Sequence, residues 1–354
     1  MSSSGILLLD KPQGWTSHDA VARTRRIAGT RKVGHAGTLD PMATGLLVLG
    51  IESSTRLLTY VVGLDKEYFA TIRLGAATTS DDAEGELIGD GPAAGVVDIT
   101  VQQLLTQIEA LTGEIEQVPS SVSAIKVDGK RAYALVRAGE EVALKSRSVI
   151  VSEFELLGNR LVDGYLDVEV RVVCSSGTYI RALARDMGRA LGVGGHLTAL
   201  RRTRIGPFSV SDASELDTID MTAALLSPTD AASLLFSRLE LTEQQAVDLG
   251  HGKRIEANAG QKHIAEEPGL HAAVAPSGRL VGLVEFRGKS AKSVVNFPAD
   301  ESSSGASAEK AVIDGGAATS AIKNSAVKNS AIKTSAIKNS GGENAAGENG
   351  EAQP

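Results

Sequence analysis

The sequence predicts an α/β (α+β) protein with three parts: a domain built on a mixed, largely antiparallel sheet, a small β-rich domain and a disordered tail. Short apolar runs of strand length alternate with turn residues and with a few helical stretches. The 354 residues exceed the length at which a single core usually stops growing, so two domains are expected. The final segment is too low in complexity to bury a core.

The first half of the sequence supplies most of the strand signals. A buried strand is predicted at residues 5–9, and Ser17 is expected to cap the helix that follows a turn. A glycine-punctuated loop at 35–44 leads into another strand. The other segments predicted in this half are strands at 45–50 and 66–75, a helix at 101–111 and a polar, basic, loop-rich excursion at 119–147.

The second half combines one strand, one helix and a β-rich end. Strict alternation predicts a strand at 165–174. Apolar residues at helical spacing predict a helix at 178–191, whose first turn carries Tyr179 and Arg181. Beyond a boundary region at 212–228, residues 239–297 contain one helical segment and short strands, one of them at 280–286.

The tail from about residue 300 is rich in Ser, Ala, Gly, Asn and Lys. An imperfect five-residue repeat, SAIKN and its variants, runs through residues 320–340. A period of five matches neither helix nor strand, so its single apolar residue per repeat forms no continuous stripe. We expect disorder here and assign the tail no catalytic role.

The composition indicates which cellular compartment and which kinds of site to expect. Cys174 is the only cysteine, which excludes an internal disulfide and a cysteine-based metal cluster and favours a reducing compartment. Residues 1–10 lack a basic signal segment, and no apolar run reaches the length of about 18 residues that a membrane span needs. A cytoplasmic protein is therefore expected. The net charge of -7 argues mildly against a nucleic-acid partner, although basic residues cluster locally.

The segment HAGTLDPMATG at residues 35–45 carries the strongest chemical signal. Gly37 and Gly45 permit unusual backbone angles, and Pro41 fixes φ directly after Asp40. Asp40 is therefore expected on a stiff loop before a strand, where a reacting carboxylate is well placed. An interpretation in which Asp40 and Pro41 only initiate a turn fits these residues equally well.

The run HAGTLDPMATGLLVLG resembles the catalytic motif of the TruB family of tRNA pseudouridine synthases. Further similar segments are GILLLDKPQGWTSHDA, KEYFATIRLGAATTSDDAEGE, VPSSVSAIKVDGKRAYALVRAG, CSSGTYIRALARDMG and HLTALRRTRIGPF. Together they cover most of residues 5–208. The resemblance implies an isomerase that converts uridine to pseudouridine in the T-loop of tRNA, at the position conventionally numbered 55, without a cofactor or a metal ion.

The resemblance also assigns the chemistry to three residues. Asp40 is the implied catalytic carboxylate, which attacks the base, attacks the sugar or removes the C2′ proton; the sequence leaves these routes open. Tyr68 is implied to stack on the target base and to assist proton removal from C5. Arg181 is implied to keep Asp40 ionised and oriented. By pattern alone, Tyr68 would be a core residue and Arg181 a surface residue.

Three further residues are implied to hold the uridine. Tyr179 and Leu200 resemble residues that line the uracil pocket, although spacing alone would place Leu200 in the core. A uridine in a folded RNA loop must leave the stack before a carboxylate reaches it. The resemblance implies that the ring of His35 fills the gap that the flipped base leaves.

Basic residues are the predicted contacts to RNA phosphates. The excursion at 119–147 resembles the family's insertion that closes over the T-arm, although Val122 stands where the family commonly has an aromatic residue. The Lys11-Pro12 pair is expected to pack near the catalytic loop in a structural role. The predicted RNA-binding residues are Lys126, Lys130, Arg131, Arg201 and Arg202.

The resemblance sets the domain bounds and the partners. Residues 1–235 are predicted to form the catalytic domain, 236–297 a PUA-like RNA-binding domain and 298–354 the tail. We expect a monomer that binds the tRNA T-arm without a membrane, a guide RNA or an obligate protein partner. The alternatives are a guide-RNA-dependent pseudouridylase subunit, a non-catalytic tRNA-binding or folding protein and, with least support, a hydrolase that uses His35 and Asp40.

Overall fold

The computed structural model describes residues 3–121, 126–127, 130–131 and 144–298. The helices in these ranges are α1 (Ser17–Ala28), α2 (Leu58–Val62), α3 (Val101–Ala110), α4 (Ile180–Ala190), α5 (Met221–Ala224), α6 (Pro228–Ser233), α7 (Glu243–Gly250) and α8 (Lys262–Glu266). The strands are β1 (Gly5–Lys11), β2 (Val33–Ala36), β3 (Thr44–Ile51), β4 (Lys66–Leu74), β5 (Ala77–Thr78), β6 (Leu87–Ile88), β7 (Gly113–Gln117), β8 (Lys126–Val127), β9 (Lys130–Arg131), β10 (Arg147–Val162), β11 (Tyr165–Cys174), β12 (Gly195–Ile205), β13 (Phe208–Ser209), β14 (Leu225–Leu226), β15 (Arg238–Glu240), β16 (Ile255–Glu256), β17 (Leu270–Val274), β18 (Leu280–Arg287) and β19 (Ser290–Asn296).

The larger sheet is mixed and largely antiparallel, as predicted. Its strand order is β14-β1-β3-β12-β4-β11-β10-β7, with β2 beside β3 and β13 beside β12. Only the pairing of β3 with β12 is parallel among these strands. That pairing is short and joins Thr44 to Arg201 and Gly45 to Arg202. It places the loop before β3 next to the middle of β12 and β4.

Helices cover the larger sheet where its strands are apolar. Leu104 of α3 and Leu183 of α4 pack in one cluster with Ile72 of β4 and Val170 of β11. Burying these aliphatic side chains against one another supplies the main stabilisation of this layer. The strands predicted at 66–75 and, from alternation, at 165–174 are confirmed as β4 and β11.

The structure corrects two predicted helix starts, by one residue for α1 and by two residues for α4. Thr16, not Ser17, is the N-cap of α1, because Thr16 has an extended backbone and accepts a hydrogen bond from the Asp19 amide in a capping box. Ser17 is the first helical residue. Tyr179 does not lie in the first turn of α4, because it is the extended N-cap residue and the helix begins at Ile180.

A second, five-stranded sheet follows in the order β15-β17-β18-β19-β16, which confirms the β-rich end. Its apolar face contributes Ala272 and Leu283 to a cluster that also contains Ile6 and Val48 of the larger sheet. Both sheets therefore belong to one compact unit. The domain boundary at 235/236 stays a prediction, and the predicted disordered tail lies outside the described residues apart from its first position.

Across the described ranges, no helix has both the length and the apolar character needed to cross a bilayer.

We predict that Gly45→Ala destabilises the protein strongly. Gly45 has φ of +98°, and an added Cβ would lie 2.2 Å from the carbonyl oxygen of Arg202. The left-handed backbone alone costs about 1–3 kcal/mol for a residue with a side chain. Gly63→Ala is the matched control, because Gly63 has φ of -75° and an added Cβ would meet no atom within 4 Å. Urea unfolding should show a large loss for Gly45→Ala and a small change for Gly63→Ala; equal midpoints would contradict the packing described.

Candidate active site

The loop that carries Asp40 joins β2 to β3, and hydrogen bonds with buried polar side chains hold it in place. Lys11 Nζ donates a hydrogen bond to the carbonyl oxygen of Pro41 at 3.4 Å. The Ser17 hydroxyl donates to the Leu39 carbonyl oxygen at 3.2 Å and accepts from the Leu39 amide at 2.9 Å. The expectation that Lys11 packs near this loop is confirmed, and Asp40 stands on a loop fixed on both sides.

Arg202 supports the same loop from the centre of the sheet. Its guanidinium donates to the carbonyl oxygens of Gly37 at 3.0 Å, Thr38 at 3.4 Å and Leu46 at 2.8 Å. Only 1% of Arg202 is exposed. The prediction that Arg202 contacts RNA phosphates is therefore corrected: its donors are directed at the backbone around Asp40 and not at solvent.

Arg201 is the neighbouring residue but points to the opposite face of β12. It forms a bidentate ion pair with Asp10, in which Nη2 lies 2.6 Å from Oδ2 and Nη1 lies 3.0 Å from Oδ1, and it remains partly exposed. Successive side chains of a strand alternate between faces, which explains why two adjacent arginines differ in this way. Arg201 stays a candidate for RNA binding.

Asp40 faces a buried guanidinium that lies between two carboxylates. Arg181 Nε is 2.9 Å from Asp40 Oδ2, and Arg181 Nη1 is 3.3 Å from Asp82 Oδ2. Arg181 Nη1 also donates to the Ser80 carbonyl oxygen at 2.8 Å. The position of Arg181 beside Asp40 is the one that the sequence predicts, whereas Asp82 was not singled out.

Two opposing influences set the protonation of Asp40. Burial raises the pKa of Asp40 above its ordinary value of 3.8, and the positive charge of Arg181 is the largest influence that lowers it. The second carboxylate, Asp82, adds to the increase. About a third of the Asp40 side chain is exposed to the cavity, although protein atoms surround it closely. Arg181 is therefore the group that favours the ionised form.

A cavity of about 260 Å³ opens over this carboxylate. It is lined by residues from the Asp40 loop, β4, β12 and the segment that precedes α4. Five of the residues predicted for chemistry and uridine binding come together in its wall: Asp40, Tyr68, Tyr179, Arg181 and Leu200.

Tyr68 and Leu200 present their side chains to the cavity from neighbouring strands. Tyr68 of β4 lies opposite Arg202 of β12, and Leu200 lies opposite Ala70. Burial raises the pKa of the Tyr68 hydroxyl above its ordinary value of 10.0, so the group is neutral at physiological pH. A neutral phenol in an apolar wall offers a flat face and one proton-transfer group.

His35 lies on β2 and is not among the residues that line the cavity. Its ring is half-buried, with its centroid 5.9 Å from that of His18 in an edge-to-face arrangement. Burial lowers the pKa of His35 below 6.5, so its ring is uncharged near pH 7. The predicted role in filling the gap of a flipped base concerns a bound state and stays a prediction.

Sequence reasoning missed two charged groups of this site. Asp82 lies in a segment that resembles the family, but nothing local in the sequence indicates its contact with α4. Lys66 lines the cavity and donates to the carbonyl oxygen of Val62 at 2.6 Å, and burial lowers its pKa to about 8. Its hydrogen bond to Val62 is local, but its burial depends on the pairing of β4 with β11 and β12, which the sequence of the strand indicates only in part.

The excursion at 119–147 falls largely outside the described residues. Lys126, Lys130 and Arg131 lie on the paired strands β8 and β9, whose side chains are not described. Val122 lies outside the described residues. The predicted phosphate contacts of this segment stay predictions.

The sequence matches three family descriptions that together span most of the chain. Residues 25–180 match the TruB family pseudouridylate synthase N-terminal domain, residues 181–244 a tRNA pseudouridylate synthase B C-terminal domain, and residues 236–298 the C-terminal domain of tRNA pseudouridine synthase II. A tRNA pseudouridine synthase B from Leifsonia xyli subsp. xyli (strain CTCB07) is 66% identical over 85% of this chain and 99% of its own. The chain belongs to the TruB family of pseudouridylate synthases. It is therefore an isomerase that converts uridine to pseudouridine.

Other members of the TruB family and a solved structure extend the similarity. The tRNA pseudouridine synthase B of Arthrobacter sp. (strain FB24) is 54% identical over 84% of this chain and 98% of its own. A chain of a crystallised Cbf5-Nop10-Gar1 complex is 28% identical, with a TM-score of 0.58, and the match covers 80% of this chain and 79% of that one. The predicted family membership is thus confirmed, and the fold is shared with Cbf5.

We predict that Arg202→Ala destabilises the protein far more than Arg201→Ala. Removing the Arg202 guanidinium takes a buried donor away from three carbonyl oxygens, which costs about 3 kcal/mol or more. Arg201→Ala removes one partly exposed ion pair, which stabilises the protein by about 1 kcal/mol or less. Urea denaturation of both variants measures the difference. A similar loss in both would contradict the assignment of Arg202 as the support of the Asp40 loop.

Proposed function

We propose that this chain isomerises the T-loop uridine of tRNA, at the position conventionally numbered 55, with Asp40 as the essential carboxylate. The observation that carries the proposal is the cavity of about 260 Å³ over Asp40, with Arg181 2.9 Å from the carboxylate. Its size is near the lower end of small-ligand sites, which suits one nucleoside. The names of the relatives at 54–66% identity support tRNA as the RNA.

Asp40 acts in its ionised form. The reaction breaks the N1–C1′ bond and joins C1′ to C5 of the same uracil, so no atom is gained and no cofactor is needed. Attack on the base, attack on the sugar and removal of the C2′ proton each require one ionised, oriented carboxylate. Arg181 supplies both conditions, since it opposes the effect of burial on the Asp40 pKa and fixes one carboxylate oxygen.

The target base reaches Asp40 only after it leaves the RNA stack. In the proposal, the uracil enters the cavity, stacks on Tyr68 and contacts Tyr179 and Leu200, which all line it. After the new C1′–C5 bond forms, one proton leaves C5 and one is gained at N1. The Tyr68 hydroxyl, which is neutral, assists as a relay that accepts a proton only as it passes its own on toward N1. His35, uncharged near pH 7, stacks in the gap in the RNA loop.

The RNA backbone is bound outside the cavity. The proposed phosphate contacts are Lys126, Lys130, Arg131 and the partly exposed Arg201. Residues 236–297 are proposed to act as a PUA-like module that contacts the rest of the tRNA, in a monomeric protein of the cytoplasm. The protein is proposed to act alone, without a guide RNA.

Dependence on partner proteins is the second candidate. It is favoured by the likeness to a Cbf5 chain that was crystallised together with Nop10 and Gar1. The higher identity to proteins named tRNA pseudouridine synthase B, over nearly their whole length, favours the stand-alone enzyme.

Tritium release from tRNA tests the proposal and separates the two candidates. An unmodified tRNA transcript that carries 5-³H-uridine is incubated with the purified chain alone, beside Asp40→Asn and a transcript with cytidine at position 55. Release by the wild type that is lost in the variant and in the substituted transcript is expected. Binding without release by the wild type would instead favour partner dependence or a binding function.

We predict that Tyr68→Phe binds tRNA almost normally but turns over slowly. The change keeps the aromatic face in the cavity wall and removes only the hydroxyl, so stacking persists while proton removal is impaired. Losing a positioned acid–base group typically costs about 10²- to 10⁴-fold in rate. Equilibrium binding and single-turnover kinetics measure the two effects separately. Normal turnover would remove the Tyr68 hydroxyl from the chemistry.

A further inference from the structure

Helix α4 carries Arg181 in its first turn and starts unlike the other long helices. Helices α1, α3 and α7 each begin with a threonine N-cap and a capping box, in which the third helical residue bonds back to the N-cap amide. Asp19, Gln103 and Gln245 are those third residues. The N-cap of α4 is Tyr179, whose side chain makes no capping hydrogen bond. Tyr179 lines the cavity instead.

The side chain of Gln117 takes over this capping role from another part of the fold. The Tyr179 amide donates to Gln117 Oε1 at 2.8 Å, and Gln117 Nε2 donates to the Tyr179 carbonyl oxygen at 3.1 Å. Gln117 is the last residue of β7 and only 1% exposed. One buried amide therefore bonds both polar main-chain groups of the residue that precedes α4, whose carbonyl oxygen also accepts from the amides of Ala182 and Leu183.

We propose that Gln117 is a positioning residue for the isomerisation, acting through the Tyr179 main chain. Tyr179 contributes to the cavity wall, and Arg181, two residues later, lies 2.9 Å from Asp40. The Gln117 amide sets where α4 begins, so it sets the distance from the guanidinium to the carboxylate. This inference rests on the proposed role of Asp40.

The rest of α4 is held independently of Gln117. Arg185 Nη2 donates to the Val118 carbonyl oxygen at 2.7 Å, and Leu183 and Met187 are fully buried in the core. Loss of the Gln117 amide should therefore loosen the start of α4 while the fold persists. A purely structural hydrogen bond would lower stability and leave the chemistry of bound uridine unchanged.

Three variants test the proposal in the full chain. Gln117→Ala removes both hydrogen bonds, and Gln117→Glu keeps the volume but places a second oxygen against the Tyr179 carbonyl. Gln103→Ala is the matched control, because it removes the same kind of capping glutamine from α3, away from the cavity. Single-turnover rates on a tRNA transcript, tRNA affinity and thermal stability are measured for each variant.

The Gln117 variants should lose about 10- to 100-fold in single-turnover rate, as expected for a small misplacement of reacting groups, with tRNA affinity nearly unchanged. The acidic limb of their pH–rate profile should move to higher pH, because a displaced Arg181 opposes the raised Asp40 pKa less strongly. Gln103→Ala should lose stability only. An unchanged rate, or an unmoved acidic limb, in the Gln117 variants would overturn the proposal.

Amide hydrogen exchange without RNA separates this inference from the proposed function. Exchange at residues 179–183 should be faster in Gln117→Ala than in the wild type and in Gln103→Ala. If the wild type released no tritium from tRNA, the proposed function would fail, and the exchange result would still decide whether Gln117 orders the start of α4. Unchanged exchange would by itself overturn the inference that Gln117 orders the start of α4.

Discussion

The pairing of Asp40 with Arg181 in a closely walled cavity is the interaction on which the rest of this structure depends. Burial favours the neutral form of Asp40, and Arg181 is the largest influence in the opposite direction. A guanidinium that is itself buried must be balanced, which Asp82 and the Ser80 carbonyl oxygen do from the far side. The ion pairs of Arg181 with Asp40 and Asp82 therefore connect the loop before β3, the turn after β5 and the start of α4.

The buried cationic side chains around the site donate hydrogen bonds to backbone carbonyl oxygens rather than to solvent. Lys11, Lys66 and Arg202 all donate to carbonyl oxygens of the segments that wall the cavity. Such hydrogen bonds offset the high cost of removing a charge from water. Their combined effect is to hold the loops rigid, so that the positions of Asp40 and the cavity wall are set before any RNA binds.

Local patterns predicted the parts of the fold that depend on neighbours in sequence. Strand-type residue patterns were enough for β4 and β11. The resemblance of several separate segments to the TruB family, and not a local pattern, was needed to bring Tyr68, Tyr179, Arg181 and Leu200 to one site. Contacts between distant segments were not predictable in this way. Nothing in the sequence around Gln117 or Asp82 shows that each meets the first turns of α4. Arg201 and Arg202 are adjacent and have the same side chain, so the sequence does not distinguish them. Because they lie on opposite faces of β12, Arg201 forms an ion pair at the surface and Arg202 is a buried support of the Asp40 loop.

The pH dependence of single-turnover pseudouridine formation tests the role of Arg181 most directly. In the proposed mechanism the rate requires ionised Asp40, whose pKa is raised, so the rate should be retained at high pH and lost as pH falls, with a midpoint above 3.8. In Arg181→Lys, the charge stays but the fixed guanidinium contact is lost, so the midpoint should move further upward. A midpoint that is the same in both proteins, or that lies at or below 3.8 in the wild type, would contradict an Asp40 held ionised by Arg181 against the effect of burial.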